Sequence, residues 1–230
     1  MLLIDNNVVM IMREKTYRAI RHDIVRRRQN TNSDDTRHPH EKSKMINNVL
    51  EGSRDFSILE LFAGEGNCTQ IYQQFGSVIA NDKVGKVYDK LVENTKDFES
   101  VKCVRKDRFI YFHELIAGKN KFDVIDIDPY GFPNRFFPDI FLLIDDGYLF
   151  ITVPKPYVNI LNGITQAHLI SYYGTHNPSE EEIIERIALW GICHWRKATL
   201  IDSQDLKSVW RFCFKVNKVK ATEYTGVRNR

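Results

Sequence analysis

Residues 57–66, SILELFAGEG, run apolar to the acidic Glu60 and then break into a turn of small residues. A short apolar run bounded by turn residues reads as a buried strand, which places Ser57 to Phe62 in the sheet interior. Gly64 and Gly66 in the following turn let the backbone approach a ligand closely before a helix opens over about Asn67 to Phe75. A dinucleotide fingerprint needs a third glycine at position 69, where Thr69 stands, so a nicotinamide enzyme is the lesser reading.

Downstream the same alternation repeats. Ser77 to Asn81 predicts a second strand and Lys86 to Asn94 a helix. Val101 to Arg105, Phe122 to Asp128 and Tyr148 to Val153 predict further strands, separated by helices over Phe109 to Ala117 and, interrupted near Pro138, Arg135 to Ile144. Strands alternating with helices build parallel βαβ units. Ser179 and Glu182 form a capping box for another helix, whose apolar face is Ile184, Ile187, Ala188 and Gly191. Trp210, Phe212, Phe214 and Val216 then alternate with Arg211, Cys213 and Lys215, and this strand pairs with Ala198 to Ile201 as an antiparallel hairpin. The expected fold is α/β, a Rossmann-like seven-stranded, mostly parallel sheet with a terminal antiparallel hairpin and helices on both faces.

Length and composition agree. A chain of 230 residues, 43% hydrophobic and 27% charged, is long enough for its own core and too apolar for a disordered chain. No apolar run approaches the roughly 20 residues that cross a bilayer, and Asp5 stands where a secretory signal carries positive charge, so no membrane partner is expected. Cys68, Cys103, Cys193 and Cys213 are irregularly spaced, without a zinc-type pair, and read as reduced core residues of a cytoplasmic protein that holds no metal. Trp190, Trp195 and Trp210 read as core, and the histidines form no ligand-spaced cluster.

The net charge of +3 is unevenly placed: Arg13 to Arg28 carries seven basic residues against Glu14 and Asp23. Such a run, with Arg26, Arg27 and Arg28 at its end, suits a phosphate-binding arm, and a solvated helix face is the alternative. Gln29 to Lys44 is polar and reads as a linker. Residues 1–45 are therefore an arm and linker, 46–220 the domain and 221–230 a tail. Lys155 to Asn177, with Tyr157, Tyr172 and Tyr173, reads as an insertion over the working edge of the sheet, where Lys155 and Tyr157 are candidate substrate contacts.

At the strand ends, Asp82 suits two ribose hydroxyls and Asp107 an adenine amino group, while either aspartate could equally cap the next helix. The chemistry centres on residues 126–133, DIDPYGFP. An exocyclic base amine is a poor nucleophile because its lone pair is conjugated into the ring. Asp128 and the Pro129 carbonyl can accept both amine hydrogens and draw the lone pair out of conjugation, while Tyr130 stacks on the base, a contact worth about 1–3 kcal/mol. Positioning then lowers the barrier to methyl transfer, and no metal is needed.

These residues resemble a family. From about Asn47 to Val219 the chain is similar to class I S-adenosylmethionine-dependent methyltransferases, and residues 122–153, FDVIDIDPYGFPNRFFPDIFLLIDDGYLFITV, resemble the tRNA guanine-N2 dimethyltransferases, a resemblance that residues 1–45 do not share. It implies S-adenosylmethionine as cofactor, held by Glu60, Phe62, Gly64, Gly66, Asp82, Asp107 and Asp128, with Asp128, Pro129 and Tyr130 acting on the amine. The implied partner is nucleic acid, RNA ahead of DNA, with guanine N2 as the target. Adenine N6 in DNA, a non-catalytic subunit that keeps the fold for binding, and an enzyme acting on protein or a small molecule are the alternatives.

Overall fold

The computed structural model describes residues 38–129, 131–156 and 166–220. Strand β1 (Phe56–Glu60) lies between β2 (Gly76–Asn81) and β4 (Val124–Ile127), parallel to both, with Glu60 opposite Ala80 on one side and Asp126 on the other. Strand β3 (Val101–Val104) extends the sheet beyond β2, and β5 (Gly147–Pro154) extends it beyond β4. Strand β7 (Val209–Lys218) inserts antiparallel between β5 and the edge strand β6 (Arg196–Leu206), giving the order β3-β2-β1-β4-β5-β7-β6. The expected fold class is the one observed. The last two strands are longer than their apolar stretch suggests, because ladder bonds rather than side chains carry the pairing into Arg196, Asp205 and Lys218.

Both faces of the sheet are covered, so neighbouring strand residues enter different cores. Leu59, Ile125, Ile151 and Phe212 pack beneath α4 (Arg108–Ala117), α5 (Phe137–Ile140), α6 (Gln166–Tyr173) and α7 (Glu180–Cys193). Ile58, Val124, Phe150 and Cys213 pack with α1 (Pro39–Leu50), α2 (Thr69–Tyr72) and α3 (Gly85–Thr95). The capping box of α7 is present as read, although Ile183 rather than Ile184 reaches full burial.

Helix α1 corrects the linker. Proline at its first position costs no hydrogen bond there, and Met45, Ile46 and Leu50 are completely buried. Each such side chain contributes about 1.5–3 kcal/mol, enough to hold a helix whose first turn is polar throughout. The helix runs across the boundary expected at residue 45, so the domain begins before Met45. Two other core expectations fail: Trp195 is 47% exposed and Cys193 lies on the surface. Both sit where α7 ends in solvent, beyond the turn that Gly191 packs on Phe141. In the segment read as an insertion after β5, Tyr173 on α6 is a buried side chain hydrogen-bonded to Asn134 at 2.9 Å, not a loose aromatic over the edge.

Candidate active site

In an open sheet, ligands bind beyond the carboxyl ends of the strands where the strand order reverses, which here is between β1 and β4. The turn after β1 bends there with Gly64 and Gly66 in the left-handed region, at φ 57° and 90°. The two glycines serve different ends. A Cβ on Gly64 would meet nothing within 4 Å, leaving its backbone open to a ligand. A Cβ on Gly66 would lie 2.9 Å from Leu91 and 3.3 Å from Thr95, so Gly66 lets the turn pack on α3.

Asp82, just past β2, braces this turn: its Oδ2 accepts from the Gly64 N–H at 3.1 Å and its Oδ1 from the Val84 N–H at 2.9 Å. A carboxylate has roughly four lone-pair positions, which leaves capacity for ribose hydroxyls. Asp107 is more committed. It caps α4, accepting from the Phe109 and Ile110 N–H groups, and Lys83 donates to its other oxygen at 2.8 Å. Lys83 and the two amide donors hold its carboxyl down to about 2. The capping alternative for Asp107 is therefore what the geometry realises.

Beside Asp107 lies a pocket of about 130 Å³ lined by Phe62, Arg108, Phe109, Pro129, Phe132, Arg135 and Phe136. Phe62 meets Phe136 edge-on at 5.6 Å, and Arg108 lies 5.1 Å over the Phe62 ring. Aromatic rings, two guanidinium groups and the Asp107 carboxylate line it together, a mixture of stacking surface and polar groups that suits a nucleoside base.

Across Pro129, a second pocket of about 130 Å³ is lined by Lys42, Glu60, Ala63, Asn67, Cys68, Asp128 and Thr152, among others. Asp128 follows β4 directly, and the Lys42 ammonium of α1 donates to its Oδ2. Burial pushes the Asp128 carboxyl upward, but the pull of Lys42 and Arg211 prevails and holds it below the usual carboxylate range. The Pro129 carbonyl, expected to take an amine hydrogen, already accepts from the Gly131 N–H at 2.9 Å and keeps one lone pair.

Beneath the pocket floor lies a charged network whose members stand too far apart in the chain for local pattern to join them. Arg211 of β7 reaches Asp126 of β4 at 2.6 and 3.2 Å and the Thr152 hydroxyl at 3.0 Å, while the Tyr72 hydroxyl donates to Asp126 at 2.7 Å. Glu60, 3% exposed, accepts from Thr69 at 2.6 Å. Burial, with Asp126 beside it, raises its carboxyl to about 8, so Glu60 is protonated at neutral pH. Burial likewise pushes the Cys68 thiol far up, so it stays unreactive.

The structure thus brings Glu60, Asp128 and Pro129 to one pocket, and Phe62, Asp107 and Pro129 to its neighbour. Lys155 is not part of either: it pairs with Asp205 at 2.7 Å and lies 5.3 Å over Trp210. Tyr130, Tyr157, Arg26, Arg27 and Arg28 lie outside the described residues.

Known proteins share this fold. The sequence model of the N2,N2-dimethylguanosine tRNA methyltransferase family matches residues 6–189. Among solved structures, the chain is similar to Trm1 from Pyrococcus horikoshii in complex with S-adenosyl-L-methionine, at 16% identity and a TM-score of 0.60, over 79% of this chain and 56% of that one. It is also similar to Trm5b from Pyrococcus abyssi (16%, TM-score 0.54, 77% and 48% covered) and to a Methanococcus jannaschii tRNA m1G37 methyltransferase (13%, TM-score 0.55, 78% and 49% covered). Such distant likenesses establish the fold, and the chain spans little more than half the length of that Trm1. No curated protein matches the chain by sequence. The family match reaches back to residue 6 and so takes in the basic stretch that the resemblance read from the sequence had left out. It spans the loop of Gly64 and Gly66, both strand-end aspartates and the Asp128 segment, and by it the chain belongs to the N2,N2-dimethylguanosine tRNA methyltransferase family.

Proposed function

We propose that the chain is an S-adenosylmethionine-dependent methyltransferase that modifies the exocyclic N2 amine of a guanine in tRNA or a tRNA-like RNA. The observation that carries this reading is Asp128, an ionised carboxylate at the β1/β4 switch point, lining a pocket next to a second pocket walled by Phe62, Phe109, Phe132 and Phe136. The residues fit the cofactor. The aromatic slot receives its adenine, the free lone pairs of Asp82 its ribose, and the open backbone at Gly64 its amino-acid end. When bound, the cofactor supplies an electrophilic methyl group on a sulfonium, and the leaving group is a neutral thioether.

The chain's own residues do the rest. A guanine inside a duplex must leave its stack to reach Asp128, so loops and junctions are the easier substrate. Asp128 accepts an N2 hydrogen, which turns the nitrogen lone pair away from the ring and toward the methyl group. As the new N–C bond forms, the nitrogen carries one proton too many, and the Asp128 carboxylate takes it and passes it to water. Glu60, neutral at pH 7, spares the pocket a third buried negative charge beside Asp126 and Asp128.

The test is transfer of radiolabel from S-adenosylmethionine to tRNA transcripts and to DNA in parallel, with product nucleosides identified by mass spectrometry. Label in N2-methylated guanosine is the expected result. Label in adenosine or DNA would overturn the substrate, and no label in any nucleic acid would overturn the reading.

A further inference from the structure

Lys42 lies on the face of α1 that also presents Met45, Ile46 and Leu50, all completely buried. The Gln204 side chain on β6 donates to the Glu41 carbonyl at 3.2 Å and ties the same turn to the far edge of the sheet. The ammonium is thus delivered to the pocket from a fixed element. Its side chain is 10% exposed and that of its partner Asp128 is 23% exposed. Neither residue would surrender so much hydration to a casual surface pair, since exposed pairs contribute about 0–1 kcal/mol.

The surroundings make the pairing necessary. Asp128 faces Glu60 of β1, Cys68 at the start of α2, Asp126 of β4 and Arg211 of β7. Arg211 spends both terminal nitrogens on Asp126. Among the described residues, Lys42 is the cation that makes an ion pair with Asp128 itself.

We propose that Lys42 is a positioning residue for methyl transfer: its ammonium on Oδ2 keeps Asp128 ionised and oriented, leaving the remaining lone pairs of the carboxylate for the hydrogens of the acceptor amine. The proposal rests on the reading of Asp128 as the group that accepts the amine. The Lys42 ammonium and the Thr152 hydroxyl take two of roughly four lone-pair positions, so the Lys42 contact need not be broken for substrate to bind. The direction in which Lys42 moves the Asp128 carboxyl agrees with this geometry.

The experiment combines two measurements on the full chain. The Asp128 side-chain carboxyl is followed by NMR with ¹³C-labelled aspartate, assigned through Asp128→Asn, in the wild type, Lys42→Met and Lys42→Arg. The pH dependence of kcat/KM is measured on a tRNA transcript with the same proteins. Lys42→Met should raise the carboxyl midpoint by one pH unit or more, shift the acid limb of kcat/KM by the same amount and lower its plateau at least tenfold, while Lys42→Arg stays near wild type. If Lys42→Met does not fold, as judged by circular dichroism, Lys42→Gln takes its place. An unmoved carboxyl midpoint overturns the proposal even in an active enzyme. A faster Lys42→Met enzyme also overturns it, because the contact would then be a block. If the wild type transfers no methyl group to RNA, the methyltransferase reading fails by itself, and the NMR midpoint still decides whether Lys42 sets the state of Asp128.

Discussion

Arg211 and Asp126 form an ion pair between β7 and β4 across the intervening strand β5, with side chains 0% and 1% exposed and the closest nitrogen and oxygen 2.6 Å apart. Two charges so deeply buried are tolerated only as a pair, and each needs further partners. Asp126 finds one in the Tyr72 hydroxyl and Arg211 one in the Thr152 hydroxyl. The pair fixes the antiparallel insertion of β7 to the parallel part of the sheet directly under the pocket that holds Asp128.

Removing one partner should be costly. Arg211→Met leaves Asp126 buried without its cation and should lose about 3–5 kcal/mol of stability in urea denaturation. The double variant Arg211→Met with Asp126→Asn should recover part of this loss. Equal stability of the two variants would mean that the charges are not coupled.

Glu60 makes stability depend on pH. Its carboxyl is raised from an ordinary 4.5 to about 8 in the folded protein, so the folded state keeps a proton that the unfolded chain gives up. The stability linked to that proton is fully present below about pH 4.5 and is lost progressively as pH rises to about 8, by roughly 1.4 kcal/mol for each pH unit. Glu60→Gln cannot ionise and retains an oxygen for the Thr69 hydroxyl. The melting temperature of this variant relative to wild type should therefore climb between pH 5 and pH 8, and a constant difference would refute the assignment.

The two glycines of the first turn should separate folding from ligand binding. Gly66→Ala places a methyl group 2.9 Å from Leu91 in a backbone conformation at φ 90°, and should cost about 1–3 kcal/mol of stability. Gly64→Ala meets no neighbour and pays about 1–2 kcal/mol for its φ of 57°, while its methyl group points into the space assigned to the cofactor. Calorimetric titration with S-adenosylmethionine should show the greater loss of affinity, at least tenfold, for Gly64→Ala once both variants are measured in their folded range.

Asp128→Ala should abolish methyl transfer while leaving cofactor affinity within a few fold of wild type. Equilibrium binding of S-adenosylmethionine and single-turnover transfer to tRNA test this together. Loss of both would place Asp128 in the cofactor site rather than against the amine.

Deleting residues 1–30 removes the stretch with seven basic residues between Arg13 and Arg28. Binding to tRNA should weaken, and the dependence of log K on log salt should become shallower, because fewer counterions are released. Cofactor affinity should not change. Unaltered RNA affinity and salt slope would return the stretch to a solvated helix face.

Much of the architecture is written in local pattern. The apolar runs at β1, β2, β4 and β5, the turn of Gly64 and Gly66, the capping box of Ser179 and Glu182, and the alternation through β7 each report on a few neighbouring residues, and each appears where the pattern places it. Strand-end aspartates could be located for the same reason, since Asp82 and Asp128 follow directly on β2 and β4 and Asp107 stands three residues past the end of β3. Whether such a carboxylate caps a helix, as Asp107 does, or faces a pocket, as Asp128 does, depends on which donors the fold brings to it.

Tertiary structure alone decided the rest. The alternation through β7 reads as one buried face and one polar face, yet Arg211 and Cys213 are as buried as Phe212 and Phe214, because the α1 and α2 side of the sheet closes over them. Helix α1 was hidden in a polar segment because its stability comes from three apolar side chains near its end and from the sheet they meet. Lys42 stands 86 residues from Asp128, and Arg211 stands 85 from Asp126. Periodicity records which way a side chain points from its own backbone. Which charge waits on the other side is settled only when separate segments bury their apolar faces against one another and must neutralise every charge they carry in with them.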